Sequence, residues 1–280
     1  MNTATDDTPT TSPRVNAVRQ LLRLTRTELT LFYRYRVAAF YAVFPLFFAF
    51  ILMGVPNVDL VPGVGAAALS TVGMVAMAPM MIAIFHIPNV LAARRELMIL
   101  KRFRVSGVGP FALFGAVTLS VLCAGLLVAA VMAVLAGVPA GLPLPRDPVM
   151  VLVGVLLGGT VVSLLAASLT RLARNAESAQ MMTILPFLVL FAASGLMLPL
   201  DLLPDAAQVA ARLLPIAPMV DMVSSGWFGY DFFGGREGAE TASVLSLWGS
   251  SVPALLVGIA WLGITFALLR GFRWDPRGAK

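Results

Sequence analysis

Six long stretches of this 280-residue chain contain no Asp, Glu, Lys or Arg. A helix needs about 20 mostly apolar residues to cross the hydrocarbon core of a bilayer, and each stretch is close to or above that length. The stretches predict six transmembrane helices, at about residues 37–54, 65–93, 111–136, 149–170, 181–200 and 250–269. The second stretch is too long for a straight crossing, and Pro79 and Pro88 inside it are expected to kink the helix.

Composition leads to the same class of protein. Charged residues make up 12% of the chain and hydrophobic residues 59%, with a mean hydropathy of +0.90. A soluble domain carries about 25% charged residues, because polar groups must cover its surface. The chain is therefore predicted to be an all-α, polytopic integral membrane protein.

The basic residues are distributed unevenly between the connecting segments. Six lie before the first apolar stretch, five after the second, two after the fourth and four after the sixth, so that 17 of the 20 share one side. The opposite side has only Arg146, Arg212 and Arg236. Cytoplasmic loops retain Lys and Arg, which predicts a multi-pass protein of the cell membrane with both termini in the cytoplasm.

The N-terminal segment has two parts. Residues 1–13 lack the apolar segment of a cleavable signal peptide and are expected to form a disordered cytoplasmic tail. Residues 15–32 repeat apolar side chains at helical spacing, with arginines on another face. The apolar positions are Val18, Leu21, Leu22, Thr25, Leu29 and Phe32, and the arginines are Arg19, Arg23 and Arg26. This pattern predicts an amphipathic helix on the inner leaflet, with a soluble cytoplasmic helix as the alternative.

The longest connection, residues 201–249, lies on the predicted outer side. Its first part predicts a short apolar helix from Leu202 to Leu214, ended by Pro215 and Pro218. A helix of that length cannot span a bilayer. We therefore expect a re-entrant or interfacial region before the last transmembrane helix, with its apolar side chains covering the outer end of a pathway.

Residues for catalysis and metal binding are scarce in the sequence. It has no GxxxxGK[ST] motif for ATP, and its only lysines are Lys101 and Lys280. A single histidine, His86, and a single cysteine, Cys123, exclude a zinc site built from these residue types. The six stretches also lack the carboxylates that ion-coupled carriers use. We expect a non-catalytic chain that binds no metal or cofactor and receives energy through its cytoplasmic face.

The basic segment after the second stretch, residues 94–110, is the strongest candidate for that face. Leu97, Leu100 and Phe103 are predicted to form an apolar ridge that enters a groove on a partner. The charged residues beside this ridge are Glu96, Lys101, Arg102 and Arg104. The alternative is a charged loop that only enforces membrane topology.

Two further patterns each have two interpretations. Met74, Met77 and Met81 share one face of the second predicted helix, where they either line an apolar transport pathway or pack in the core. Gly154 and Gly158 allow close approach of helices, either within the chain or between two copies.

These features, in this order, resemble a type-2 ABC exporter permease. The resemblance rests on the N-terminal amphipathic helix, the six stretches, the Arg-Glu-x-x-x-Leu-Lys-Arg segment from Arg95 to Arg102, and SGLMLP…LP…LLPIAP after the fifth stretch. It covers nearly the whole chain and is strongest to the daunorubicin-resistance exporter type of actinobacteria. It implies that residues 14–280 form one transmembrane domain that exports a drug or lipid-like amphiphile, as in multidrug and antibiotic resistance.

The resemblance also implies particular partners and site residues. A separate ABC ATPase, which binds ATP and Mg, would dock on residues 94–106, and two permeases would pair in membrane lipid, without nucleic acid. The implied coupling residues are Arg94, Arg95, Glu96, Leu97, Leu100, Lys101, Arg102, Phe103 and Arg104. The implied outer re-entrant residues are Ser194, Gly195, Pro199, Pro204, Leu213, Leu214, Pro215 and Pro218. The alternatives are an exporter of polysaccharide or another polar polymer in the same family, a membrane scaffold without transport, and a membrane-embedded enzyme.

Overall fold

The structure, a computed structural model, describes most of the chain. The described residues are 16–34, 36–54, 58–139, 141–196, 200–236, 239–272 and 274–275. The expected disordered tail, residues 1–13, and Pro199 of the outer region lie outside the described residues.

The described part of the chain is all-α, apart from one small hairpin. Its helices are α1 Ala17–Arg34, α2 Arg36–Met53, α3 Ala66–Glu96, α4 Ile99–Val105, α5 Pro110–Leu135, α6 Pro148–Leu169, α7 Ala176–Ala192, α8 Asp205–Leu213, α9 Ala217–Phe228, α10 Val244–Ser250 and α11 Val252–Leu269. Strands β1, Asp59–Val61, and β2, Val64–Gly65, form an antiparallel pair that joins α2 to α3. The all-α class predicted from the sequence is confirmed.

Several helices begin where the sequence provides a start signal. Proline lies in the first turn of α5, α6, α9 and α11, where a missing backbone N–H costs no intrahelical hydrogen bond. The side chain of Asp147 accepts hydrogen bonds from the N–H groups of Val149 and Met150, which caps α6. Asn175 and Ser178 form a capping box that starts α7 at Ala176, earlier than the expected residue 181.

Helix α3 is the centre of the molecule. It has 31 residues, which at 1.5 Å per residue makes it about 46 Å long. Helices α2, α5, α6, α7 and α9 all pack against it, so that most of its side chains are buried. Pro79 and Pro88 lie within α3, which continues through both of them as one helix.

Glycines bring the helices around α3 close together. A Cβ atom on Gly125 of α5 would collide with backbone atoms of Pro79. Gly154 and Gly158 face Val223 and Met219 of α9, so these two glycines serve packing within the chain.

Four described helices, α3, α5, α6 and α11, are long and apolar enough to cross a membrane. Helices α8 and α9 meet at a bend of 82° and would make a fifth crossing if they form one broken span. Among the other described helices, α2 has 18 mostly apolar residues and α7 has 17. The chain is a multi-pass membrane protein, whereas the count of six crossings stays a prediction.

The helices give the molecule two different ends. The basic end contains α1, the end of α3, α4 and the turn between α6 and α7. Side-chain hydrogen bonds connect the end of α3 to α1 and to the α6–α7 turn. The opposite end contains the hairpin, α8, α9 and α10. There the Trp227 indole donates to the Pro143 carbonyl at 2.9 Å, and the Tyr230 hydroxyl donates to the Pro62 carbonyl at 2.7 Å.

Candidate functional site

The chain turns sharply at the basic end, at residues 97–109, which we call the elbow. After α3 the backbone of Met98 takes a left-handed conformation with φ +58°, and it is the only non-glycine residue with positive φ in the described ranges. Helix α4 follows, and Gly107 with φ +80° ends it. The N–H of Val108 then donates to the Phe103 carbonyl at 2.9 Å, which closes the turn before α5.

The apolar ridge predicted for the elbow does not form as one exposed surface. Leu100 is fully buried, and Phe103 packs against the same hydrophobic core, whereas Leu97 is 66% exposed. The prediction that these three residues enter a partner's groove is therefore wrong for Leu100. The reason is tertiary, because the turn at Met98 folds α4 back onto the basic end of the bundle.

A different edge of the elbow is exposed. A cavity of about 420 Å³ is lined by Met98, Lys101, Arg102, Val105 and Ser106. Val105 is 82% exposed, and Glu96, Lys101, Arg102 and Arg104 are exposed as well. This exposed edge combines apolar side chains with positive charge. Met98 and Val105 were not predicted from the sequence. A periodicity of three to four residues shows which residues share a face of a helix, but it does not show which face the bundle covers.

Arg94 and Arg95 lie at the end of α3, next to the elbow, but their side chains bind within the chain. Arg94 makes a bidentate ion pair with the carboxylate of Glu28 in α1, at 2.5 and 2.7 Å. Arg95 is 1% exposed and donates to the carbonyls of Thr170 and Ala173, at 3.0 and 2.5 Å. Both are predicted to contact an ATPase, but the structure places their guanidinium groups against Glu28, Thr170 and Ala173 rather than on the exposed edge of the elbow.

A sequence signal for one of these contacts did exist. Glu28 is the only acidic residue in α1, and it lies on the side of the helix that also carries Thr25 and Phe32. All three are buried. A lone carboxylate on the buried side of a basic helix requires a cationic partner, because burying an unpaired charge is costly. The sequence did not say which arginine that partner would be.

The outer region predicted from the sequence contains the expected short helix, α8, followed by a bend through Pro215 to α9. Pro204 precedes α8, and Pro218 lies in the first turn of α9. At the end of α7, Ser194 is buried and Gly195 takes φ +73°.

The apolar side chains of α8 and of the turn before it lie mostly on the surface of the chain. Leu202 is 68%, Val209 58% and Leu213 60% exposed, whereas Leu214 is partly buried beside Ala211. The sequence predicted that these side chains would cover the outer end of a pathway. The first three residues are exposed on the surface of the chain, and their role at a pathway stays a prediction.

A cluster of charged side chains lies beneath α8 and was missed from the sequence. Asp201 accepts a hydrogen bond from the N–H of Arg236 at 2.9 Å, and its carboxylate lies 3.8 Å from the Arg212 guanidinium. Asp221 of α9 lines the same small cavity. Burial holds the pKa of the Arg236 guanidinium below its ordinary value, and the negative charges of Asp221 and Asp201 offset only part of this effect. Within the described ranges, no three His, Cys, Asp or Glu side chains are grouped to hold a metal ion.

The three methionines of α3 are core residues in this structure. Met74, Met77 and Met81 are each at most 1% exposed and pack in the main hydrophobic cluster. Of the two interpretations of this pattern, the structure fits packing in the core.

Comparison with known proteins identifies the family. No curated protein was found to match the chain. The sequence does match the family model described as ABC-2 family transporter protein, over residues 59–271. That match covers more than half of the chain, from the hairpin through α11. The chain therefore belongs to the ABC-2 family of transporter proteins.

Proposed function

We propose that this chain is the permease subunit of an ATP-driven exporter, which moves an amphiphilic drug or lipid-like molecule out of the cell. A separate ABC ATPase binds ATP and Mg and drives the change between inward and outward exposure. The family gives the transport class, and the cargo, the ATPase and the direction are the proposal. The observation that carries it is the elbow, because its exposed edge offers a cationic and apolar surface at the predicted cytoplasmic end.

The geometry of the elbow supports docking by a rigid partner. Helix α4 connects α3 to α5 and packs against α3. Leu97 and Val105 are exposed apolar residues next to exposed Lys101 and Arg102. A partner with an apolar side chain and an acidic rim fits this surface, since apolar anchors provide most of the binding energy and charges set its orientation.

The aromatic residues of α2 and α7 support an amphiphilic cargo. Five phenylalanines meet where α2, α3 and α7 pack together, with ring centroids 4.8 Å apart for Phe85 and Phe187 and 5.5 Å apart for Phe187 and Phe191. The other two are Phe44 and Phe48. The exposed rings of Phe40 and Phe47 contact Phe44 and Phe48 and extend this aromatic cluster to the surface of α2. Such a surface in uncharged helices binds apolar ring systems and chains, whereas a polar polymer requires polar groups along its path. Polysaccharide export is therefore the second candidate.

The exposed faces of α2 and α7 support the pairing of two permeases. Phe40, Phe47, Leu185 and Leu188 are each more than half exposed on these neighbouring helices. Aromatic residues are enriched in the cores of protein interfaces. We propose that a second copy covers this surface, and that the transport pathway forms between the two copies.

The experiment is reconstitution. The tagged chain is purified from its own membranes, a co-purifying protein with an ATP-binding motif is identified by mass spectrometry, and the complex is placed in liposomes. Fluorescently labelled phosphatidylethanolamine and a fluorescently labelled glucose oligomer serve as probes. We expect ATP-dependent movement of the lipid probe and none of the oligomer. Movement of only the oligomer would favour polysaccharide export, and movement of neither probe with no ATPase bound would contradict the proposal.

The elbow is tested in the same assay. Val105→Asp places a carboxylate on the proposed docking surface and should release the ATPase. Leu144→Asp is the matched control, because Leu144 is 91% exposed at the opposite end of the molecule. If both variants retain the ATPase equally, the elbow is not its docking surface.

A further inference from the structure

The ion pair between Arg94 and Glu28 connects two elements that are far apart in the sequence. Glu28 lies in α1 and Arg94 in the last turn of α3, 66 positions later. Their side chains are only 7% and 11% exposed, and the pair is bidentate. Bidentate geometry constrains the orientation of the guanidinium and the carboxylate as well as their separation.

The next residue makes a second connection, in another direction. The guanidinium of Arg95 reaches the carbonyls of Thr170 and Ala173, at the end of α6 and in the turn that follows it. The last carbonyls of a helix have no partner within the helix and carry partial negative charge, so a buried guanidinium caps them well. Two successive arginines thus connect the end of α3 to α1 on one side and to α6 on the other.

Further contacts fix α1 along its length. The ring of Phe32 meets the imidazole of His86 in α3 edge to face, with centroids 4.9 Å apart. At the start of α1, the Gln20 side chain donates to the Gly107 carbonyl of the elbow at 3.4 Å. Helix α1 therefore contacts the elbow at one end and α3 at the other, with the ion pair between these contacts.

Burial of charge at this place has a cost that packing alone would avoid. Well-packed apolar side chains are often at least as stabilising as a buried ion pair, and in some proteins such a pair specifies geometry rather than stability. Here the ion pair specifies the position of α1 relative to the end of α3, and the hydrogen bonds of Arg95 position α6 relative to the same end.

We propose, on the basis of the proposed function, that Arg94 and Arg95 form a joint that makes α1, the elbow and the α6–α7 turn move as one unit when the ATPase moves the elbow. The two arginines are positioning residues and contact neither the cargo nor ATP. The joint transmits a displacement at the elbow to α1 through Glu28, and to α6 through the carbonyls of Thr170 and Ala173.

The first test measures transport per ATP hydrolysed, with the reconstituted complex and labelled phosphatidylethanolamine. Glu28→Gln and Arg95→Gln should keep the ATPase bound and its basal hydrolysis unchanged. They should lower transport per ATP by roughly 2- to 30-fold, the range typical of coupling residues that touch neither ligand. The reversed pair, Glu28→Arg with Arg94→Glu, should restore much of the ratio. Glu177→Gln, at the first turn of α7, is the matched control and should have no effect.

The second test reports the joint directly. In a Cys123→Ser background, spin labels at Arg23 of α1 and Arg174 of the α6–α7 turn, both exposed, give the distance between the two parts. In the unaltered joint this distance should be the same with ADP and with ATP trapped by vanadate. In Glu28→Gln the mean distance should differ between the two nucleotides, or the distribution of distances should broaden with ATP.

Each outcome decides between the alternatives. A normal transport ratio and a fixed distance in both Gln variants would overturn the joint. Parallel losses of yield, ATPase binding and hydrolysis, with the distance still fixed, would show a purely structural role and also overturn it. If the unaltered complex shows no ATP-dependent transport, the proposed function fails and the joint falls with it.

Discussion

Single glycines show how tightly the helices of this protein are packed. Gly125 in α5 has backbone atoms of Pro79 within contact distance of a hypothetical Cβ, whereas Gly263 in α11 has open space there. We expect Gly125→Ala to destabilise the protein by about 1–3 kcal/mol, because the backbone of α3 must move. Gly263→Ala is the matched control and should be neutral. Thermal unfolding in detergent measures both, and equal melting temperatures would contradict the packing of α5 on α3.

Leu97 and Leu100 are neighbours in the elbow with opposite environments. Leu100→Ala should destabilise the permease by about 2–5 kcal/mol, since it leaves a cavity in a buried site. Leu97→Ala should leave unfolding unchanged, because that side chain is 66% exposed, and should weaken binding of the ATPase instead. The measurements are thermal unfolding and co-purification of the two proteins. A destabilised Leu97→Ala variant with normal ATPase binding would contradict this division.

At the scale of elements, a hydrogen bond that the sequence could not predict attaches α8 to the last helix. The indole of Trp261 in α11 donates to the Leu213 carbonyl at 2.8 Å. Trp261→Phe removes this bond and should speed amide hydrogen exchange in α8 by roughly 2- to 10-fold. The reason is that one hydrogen bond contributes about 0.5–1.5 kcal/mol of net stability. Trp227→Phe is the control, because it removes a bond to Pro143 and leaves α8 untouched. Unchanged exchange in α8 would contradict this attachment.

Helix α9 shows why element boundaries were harder to predict than element classes. It follows Pro215 in a segment that also contains Asp221, Ser224 and Ser225, so the segment lacks the uninterrupted apolar character used to find spans. The structure places both serines in the interior, with the Ser225 hydroxyl accepting from the N–H of Phe232 at 3.1 Å. Burial of these polar groups depends on partners that come from other parts of the chain.

At the scale of the whole molecule, the segregation of basic residues predicts orientation. Val105 in the elbow is 82% exposed and Leu144 in the α5–α6 connection is 91% exposed. Each is replaced by Cys in a Cys123→Ser background, and intact cells are treated with an impermeant maleimide. Leu144→Cys should react and Val105→Cys should react only after lysis, because the basic end is inside. The reverse pattern would invert the topology.

Pairing of two permeases is also a property of the whole molecule. Leu185 of α7 is 69% exposed and Ile259 of α11 is 58% exposed, so both are free to react. In the Cys123→Ser background, oxidation should crosslink Leu185→Cys into dimers, because α7 faces the second copy. Ile259→Cys should stay monomeric on a denaturing gel, since the proposed interface of α2 and α7 does not include α11. Dimers formed equally by both variants would contradict the proposed interface.

The sequence by itself determined the class of this protein. Apolar stretches without charge are a local property, so they predicted an all-α membrane protein, and they indicated most helices to within a few residues. The order of segments also indicated a transport permease, which the ABC-2 family match supports. The position of the elbow could also be predicted from local sequence, because the elbow joins two long apolar stretches and is rich in basic residues.

Only the tertiary structure decided which side chains of that segment are accessible. Leu100 is covered, Val105 is exposed, and Arg94 and Arg95 are bound to Glu28, Thr170 and Ala173. These contacts join residues 66 to 78 positions apart, and a periodicity that repeats every three or four residues contains no information about such pairs. The hydrophobicity of the stretches therefore predicted that their helices lie in lipid. The packing of helices on α3 determined which face of each helix stays exposed to a partner.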